Sequence, residues 1–535
     1  MSVDTLRAPT SGSPEIAARP LLSHLESLPS DEPRRSRWGV PATLSALALA
    51  SLWLRTRGLP VHYWIDEGLS VGIASHPLAQ IPSLLRQDGS PPLYYLLLHL
   101  SMSLFGRSEV ATHELSLCFA LLTIPVGYWA GASLFDRRSG LVCAVLAAGA
   151  PYLTTYADET RMYALLALLG VVVAGSFVHV FVFRRRSYLP VFAGSLLAAL
   201  YTHNWALFLA LMTAVGFVVC LREAAASTRR SLWLDGALAF GSVALLYAPW
   251  IPTLVYQAHH TGAPWDLPPV VWSLSQGLYS LVGGRGAAIA MLLAGGSGLL
   301  AVRRATGAQR QRSLAVTCLL ILSIGTLLVA WIYSKTAPAW ADRYFAVIVG
   351  PLIVLFGLGL ARAGRLGLVA LALTLCFWIL DPTSHKLDTK SNVAAAIAAV
   401  RPHLRPGTLA LSTQPEQVPT LAYYLPGVKR FGTPLGPVPD PKVVDWRGAL
   451  ARLRGSSIRA TLMPMVRSLS PGQRLLLVVP TDLPSTPRWL RLINLYSRQW
   501  ARALEHDRSL VRVRATSAGA RASGVPVRAT LYLVR

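Results

Sequence analysis

The sequence predicts a polytopic α-helical membrane protein that ends in a small α/β domain. Only 14% of the 535 residues are charged while 53% are hydrophobic, whereas a soluble domain is about a quarter charged. Uncharged runs of about 17 residues or more recur up to Leu380, long enough to cross a hydrocarbon core of about 30 Å. Beyond Leu380 those runs stop, and helix-like and strand-like stretches alternate around turn sequences.

Residues 1–37 are rich in Pro, Ser and charge and are expected to form a disordered cytoplasmic tail. They are not a cleavable signal peptide, because the first apolar run begins only near Val40. Arg34, Arg35 and Arg37 precede Val40–Leu54, so this helix should leave the cytoplasm. Residues 58–90 then form an external loop in which Asp66 opens a short helix through Ala74. Pro91–Phe105 is too short for a crossing and reads as an interfacial or re-entrant segment.

If that segment does not cross, later runs alternate in direction and each arginine cluster falls on the cytoplasmic side. Thr112–Phe135 runs in to Arg137 and Arg138, Leu141–Thr155 runs out, and Met162–Phe183 returns to Arg184, Arg185 and Arg186. Tyr188–Tyr201 leaves and Trp205–Leu221 returns to Arg222. Leu232–Trp250 leaves, and Ala287–Val302 returns to Arg303 and Arg304. Leu314–Tyr333 leaves, Phe345–Leu360 returns to Arg362 and Arg365, and Leu366–Leu380 leaves for the last time. The expected total is about eleven spans, with the tail outside. Val270–Val282 should lie flat on the outer side.

The net charge of +25 is absorbed by this anchoring, so no nucleic-acid partner is implied; the lipid bilayer is the implied one. The five cysteines form no CxxC pair and no cluster with histidine, which argues against a disulfide framework or a zinc site. The expected domains are the tail 1–37, a transmembrane region 38–380 and an extracytoplasmic α/β domain 381–535. In the last, Ser391–His403, Glu416–Tyr424 and Pro487–His506 are helix-like. Thr408–Ser412, Arg474–Val479, Leu510–Ala515 and Val525–Val534 are strand-like.

The alternation brings one set of polar groups to the outer face. They are Asp66 with Glu67, Asp88, Asp158 with Glu159 and Arg161, His203, His259 with His260, and Asp342 with Arg343. Acids at membrane depth usually occupy a cavity and act there. A carboxylate can take a proton from an acceptor hydroxyl, and a planar guanidinium matches phosphate oxygens. Together they suggest a lipid-phosphate substrate with its tail among the helices. Structural alternatives stand beside each: helix N-terminal acids for Asp66-Glu67, a local ion pair for Asp158, Glu159 and Arg161, and an interfacial histidine for His203.

The stretches Trp64-Ile-Asp66-Glu67, Asp88-Gly-Ser-Pro-Pro-Leu-Tyr-Tyr95, Leu104-Phe-Gly106 with Glu109, Asp158-Glu-Thr-Arg161-Met-Tyr-Ala164, Thr202-His203-Asn204 and Asp342-Arg343-Tyr344 carry a resemblance. In this order they resemble the GT-C class of polyprenyl-phosphate-dependent glycosyltransferases. Within it, they are similar to the family 39-like group of protein O-mannosyltransferases and lipid A aminoarabinose transferases. The resemblance implies flat juxtamembrane helices in the first external loop. It also implies Asp66 as the base acting on the acceptor, with Glu67 beside it, and Arg161, Arg343 and Tyr344 around the donor phosphate. Asp88, Asp158, Glu159, Tyr163 and His203 would line the substrate, with Asp88 the candidate ligand for a divalent metal ion. The implied partners are a polyprenyl-phosphate-linked sugar and a glycan, lipid or protein acceptor.

The expected activity is therefore sugar transfer on the outer face of the cytoplasmic membrane, with inversion at the anomeric carbon. A transporter or flippase of lipid-linked sugars would use the same phosphate-binding groups, but inverted repeats and ionisable groups deep within spans are not evident. A sensor anchored by its helices would not need acids on several external segments. Five lysines among fifty basic residues, with abundant alanine, point to a high-GC bacterial genome.

Overall fold

The computed structural model describes residues 39–304, 310–380, 390–481, 483–516 and 525–535. The expected tail over residues 1–37 lies outside them. The chain divides into two compact units, Met1–Thr43 and Leu44–Arg535. Helix α1, Gly39–Arg55, begins in the first, and everything from Leu44 onward belongs to the second.

The first loop holds three helices: α2, Ile65–Ala74, α3, Ile81–Asp88, and α4, Leu93–Phe105. The sequence predicts α2 and the short α4. It misses α3, whose 8 residues are too few for a periodic signal. Gly89 closes α3 at φ 106°, a left-handed conformation that a β-carbon disfavours. Pro91 and Pro92 then turn the chain into α4.

Helix α5, Glu109–Leu134, is capped by Ser108, whose hydroxyl accepts from the Ala111 N–H. Asp136 caps α6, Arg137–Gly149, in the same way, and Pro151 opens α7, Pro151–Ala157, after a bend of 48°. Next come α8, Tyr163–Phe177, α9, Leu189–Thr202, and α10, Ala206–Glu223. Helices α11, Ala226–Tyr247, and α12, Ile251–His260, join into one run of 35 residues. They are followed by α13, Val271–Val282, α14, Arg285–Arg304, α15, Arg310–Leu320, α16, Thr326–Ser334, α17, Ala346–Arg362, and α18, Gly364–Leu380.

Among the described residues, 7 helices are long and apolar enough to cross a membrane, or 8 if α6 and α7 form one bent span. The other three expected spans are present as α1, α9 and α18. Their 17, 14 and 17 residues fall short of the about 20 that a full crossing needs. The chain is a polytopic helical membrane protein. Its core is α17, buried at every position from Ala346 to Ala361. A β-carbon on Gly350 would sit 2.1 Å from the Val171 nitrogen of α8, and one on Gly357 would sit 2.1 Å from the Cys143 sulfur of α6. Glycine here lets neighbouring helices approach closely where apolar burial alone gives little drive.

The C-terminal region forms a six-stranded sheet in the order β3-β2-β1-β4-β6-β5. Its strands are β1, Leu409–Ser412, β2, Arg430–Thr433, β3, Gly436–Val438, β4, Arg474–Pro480, β5, Leu510–Ala515, and β6, Val527–Val534. Strand β1 is parallel to β2 on one side and to β4 on the other, while β3, β5 and β6 add antiparallel edges. The amphipathic helix Arg488–Glu505 buries Trp489, Ile493, Tyr496, Trp500 and Leu504. This is the apolar stripe expected of a helix lying on a sheet. The four expected strands and three expected helices are all present. The sequence reading misses β2, β3 and the short helices Ala449–Arg454 and Met463–Arg467.

This region is bonded to the first loop and to the segment after α12. The indole of Trp265 packs on that of Trp446, His76 pairs with Asp440 at 2.8 Å, and the Trp446 N–H donates to the Gln87 carbonyl at 3.1 Å. Helix α2 makes the tightest approach through Gly68 and Gly72, one turn apart. A β-carbon on Gly68 would lie 2.2 Å from the Thr420 hydroxyl and 2.6 Å from its Cα. Gly68→Val should therefore force the two parts apart and cost about 1–3 kcal/mol, read as a lower Tm in detergent. Gly194→Ala on α9 meets nothing within 4 Å and should leave Tm unchanged or slightly raised.

Candidate active site

Asp66 and Glu67 occupy the first turn of α2, where helix geometry sends adjacent side chains in different directions. Glu67 is fully buried. Its Oε1 accepts from the Thr160 N–H at 2.9 Å and lies 2.6 Å from His113 Nε2, while its Oε2 lies 2.7 Å from Lys390 Nζ. The Trp64 N–H also reaches Oε2 at 3.3 Å, closing the helix cap. Burial alone would push this carboxyl up. The Lys390 and His113 contacts outweigh burial and hold it at about 2. Glu67, grouped with Asp66 as catalytic on sequence grounds, thus has both oxygens committed and acts as an anchor.

Asp66 instead stays partly open, with Arg343 Nε 3.7 Å from its Oδ2 and 20% of its side chain exposed. Arg161 sits on the other side. Its Nη1 donates to Ser70 Oγ at 3.0 Å, to Tyr95 Oη at 3.3 Å and to the Asp66 carbonyl at 3.4 Å, and its Nη2 reaches Tyr163 Oη at 3.4 Å. Among the described residues, the buried Nε atoms of Arg161 and Arg343 have no hydrogen-bond partner. Asp88 completes the group. Burial pushes its carboxyl up to about 6; Ser90 and Arg161 oppose the rise and nearby Asp66 adds to it.

Aromatic rings pack beside this group. Tyr344 lies 4.9 Å from the His203 ring and 5.5 Å from Trp205 between centroids, and Tyr163 lies 6.0 Å from His203. The Trp205 N–H donates to His203 Nδ1 at 3.1 Å, which leaves the proton on Nε2. Burial, with Arg161 and Arg343 nearby, lowers the imidazole to about 3 and keeps it neutral. The expected residues Asp66, Asp88, Arg161, Tyr163, His203, Arg343 and Tyr344 are therefore brought together.

Asp158 and Glu159 lie behind them, buried beside Glu67. Lys390 Nζ donates to the Asp158 carbonyl at 2.8 Å. Among the described residues, neither Asp158 carboxylate oxygen has a partner. Burial lifts Asp158 to about 7 against the pull of Lys390 and Arg55, and lifts Glu159 to about 8 against Lys390. Arg55, His113 and Lys390, which join this cluster, carry no mark in the sequence that singles them out. Arg55 is fully buried in α1, where its Nη2 donates to the Ala147 carbonyl at 2.8 Å.

Other expected groups stay apart from this cluster. His260 bonds the Tyr256 carbonyl and stacks on the Tyr256 ring at 4.1 Å, on α12, and His259 is exposed beside it. Among the described residues, no three His, Cys, Asp or Glu side chains cluster as metal ligands. The charged neighbours of Asp88 are one further carboxylate, Asp66, and the Arg161 guanidinium, fewer acids than a dedicated divalent-cation cage brings together. No catalytic step is therefore assigned to a metal.

No family model and no curated protein matches the sequence. Solved structures do match in fold. The apo structure of ArnT from Cupriavidus metallidurans superposes with a TM-score of 0.63 at 15% identity, covering 92% of this chain and 98% of that one. The same protein bound to undecaprenyl phosphate gives 0.60 at 14% identity, with the same coverage. The arabinofuranosyltransferase AftD from Mycobacteria gives 0.51 at 17% identity, covering 93% of this chain and 40% of that one. The fold is thus the GT-C fold, C-terminal region included.

The buried acids set opposite pH limits on stability. Glu67 is held at about 2 rather than 4.5, so its contribution is present above 4.5 and lost as pH falls through 2. Asp158 and Glu159, raised to about 7 and about 8, favour folding below the ordinary carboxylate range and lose that contribution as pH rises through those values. From these three groups Tm should therefore be highest near about pH 4–4.5 and fall as pH rises toward 7 and 8, and Asp158→Asn should make that fall shallower. Lys390→Met strands a buried carboxylate and should cost about 3–5 kcal/mol, measured by thermal unfolding.

Proposed function

We propose that this chain transfers a sugar from a polyprenyl-phosphate donor to an acceptor hydroxyl, with Asp66 as the general base. The observation that carries this is the pair of guanidiniums beside partly open Asp66, Arg161 buried and Arg343 half-buried, whose buried Nε atoms have no hydrogen-bond partner among the described residues. Free guanidinium donors in a water-poor site suit a lipid phosphate. Arg343 also stands just before α17 and Arg161 just before α8, and helix N-termini favour negative charge. The undecaprenyl phosphate bound to ArnT, which has the same fold, supports such a donor.

The acceptor oxygen attacks the anomeric carbon as Asp66 takes its proton. The bond from that carbon to the phosphate oxygen breaks, and the electron pair leaves with the lipid phosphate under Arg161 and Arg343. A single displacement inverts the anomeric centre. Glu67 fixes the turn carrying Asp66, while Tyr163, His203 and Tyr344 shape the wall around the leaving group. Asp88, Asp158 and Glu159 supply the acidic lining. The acceptor is a glycan, glycolipid or protein outside the cytoplasmic membrane of a bacterium. The amino terminus lies inside, and the α/β domain from residue 381 lies outside.

Purified protein incubated with polyprenyl-phosphate sugars should release lipid phosphate. Asp66→Asn should lower that rate by about 10²–10⁴-fold, the usual worth of a general base, with Tm and lipid-phosphate affinity preserved. Arg343→Ala should weaken binding of undecaprenyl phosphate instead. Full turnover by Asp66→Asn would remove the assigned base.

A further inference from the structure

Strand β1 ends at a topological switch point. The chain leaves β1 toward β2 on one side, while β4 on its other side leads by way of Arg488–Glu505 to β5 and β6. In parallel sheets, ligands gather at the carboxyl ends of strands where the connections diverge. Here that edge carries Thr413-Gln414-Pro415-Glu416-Gln417, and the turn Pro415–Gln417 packs on α2 beside Asp66.

The backbone of this turn is fixed from within. Ser412 Oγ donates to the Gln414 carbonyl at 2.8 Å, the Gln417 N–H donates to the same carbonyl at 3.1 Å, and the Thr413 and Ser497 hydroxyls meet at 2.7 Å. Glu416 Oε1 is held by Trp489 Nε1 at 3.0 Å and by Gln414 Nε2 at 3.1 Å. Its other oxygen is left over. Among the described residues, Glu416 Oε2, Gln414 Oε1, Gln417 Nε2 and Trp64 Nε1 are buried without a partner. Gln414, Glu416 and Gln417 are only 2%, 6% and 1% exposed. Burial first, with the Asp66 charge adding least, raises the Glu416 carboxyl.

Buried polar atoms without partners are costly, so those of Gln414, Glu416 and Gln417 on a single turn call for a ligand that satisfies them. Carboxylate and amide acceptors beside an amide donor match a hydroxyl-rich ring. We propose that Gln414, Glu416 and Gln417 form a carbohydrate-binding wall opposite Asp66, contributed by the C-terminal region and holding a sugar ring of the donor or of the acceptor. The naming of donor and acceptor rests on the glycosyl-transfer function proposed above; the wall itself does not.

The test uses full-length wild type, Glu416→Gln and Gln417→Leu, with Tm as the folding control. Glu416→Gln keeps an oxygen for Trp489, so it stands if Gln417→Leu misfolds. Each protein is titrated with bare undecaprenyl phosphate, with its mannosyl and arabinosyl forms, and with methyl mannoside and methyl arabinofuranoside by saturation-transfer NMR. If the wall holds the donor ring, the variants weaken binding of a sugar-bearing lipid by about tenfold, one lost hydrogen bond to a charged group. Bare undecaprenyl phosphate then binds as to wild type. If it holds the acceptor ring, all the lipids bind as to wild type and the methyl glycoside signal is lost. Folded variants that match wild type with every probe, or wild type that binds no sugar in either form, overturn the proposal. Failure of wild type to bind bare undecaprenyl phosphate instead overturns the polyprenyl-donor function, with the methyl glycosides still reporting on the wall.

Discussion

The structure depends on how the buried charge of Glu67 is compensated. Removing a carboxylate from water costs several kcal/mol even after relaxation, and the interior recovers it only with well-placed partners. Here those partners come from three other parts of the chain: His113 in α5, the Thr160 N–H between α7 and α8, and Lys390 after the last apolar helix. The requirement that this one group be satisfied draws the first loop, two membrane helices and the C-terminal region to a common point. Asp66, one residue away, is positioned as a consequence.

The pair also shows how surroundings divide labour between identical chemistries. Glu67 is enclosed and fully bonded, while Asp66 is partly exposed, with Arg343 near its carboxylate and Arg161 on its backbone carbonyl. The same contrast separates the arginines. Arg55 sits inside the bundle and bonds backbone carbonyls of α6, whereas Arg161 and Arg343 keep donors unspent at its mouth. Glycine contacts make the placement firm, since α17 rests directly on the backbone of α8 at Gly350, and these two helices carry the two mouth arginines at their starts.

Much of this was legible in the sequence because membrane chains write their layout in charge and length. The positions of the apolar helices followed from arginine clusters, and α2, α4 and α13 were recognisable from their size. Asp66, Asp88, Arg161 and Arg343 stood out as polar groups in apolar surroundings. Helix α3 and strands β2 and β3 did not, being only 8, 4 and 3 residues long, below the length at which periodicity speaks. Lys390 and His113 were illegible for another reason. Each matters only through a partner far along the chain, and nothing in Ser-His-Lys-Leu-Asp-Thr-Lys390 marks its last residue as the counter-charge of Glu67. The opposite roles of Asp66 and Glu67 were hidden too, because adjacent residues of like charge differ only in what the fold places around them.

Lys390 lies 232 residues beyond Asp158 and further still beyond Glu67. During synthesis the first loop, α5 and α8 are therefore inserted long before their cation leaves the ribosome. Until then Glu67 has only His113 and the Thr160 N–H as partners, and its full set is complete once translation passes the final hydrophobic helix. A truncated or prematurely released chain would carry every membrane-embedded side chain of the site and still be incompetent.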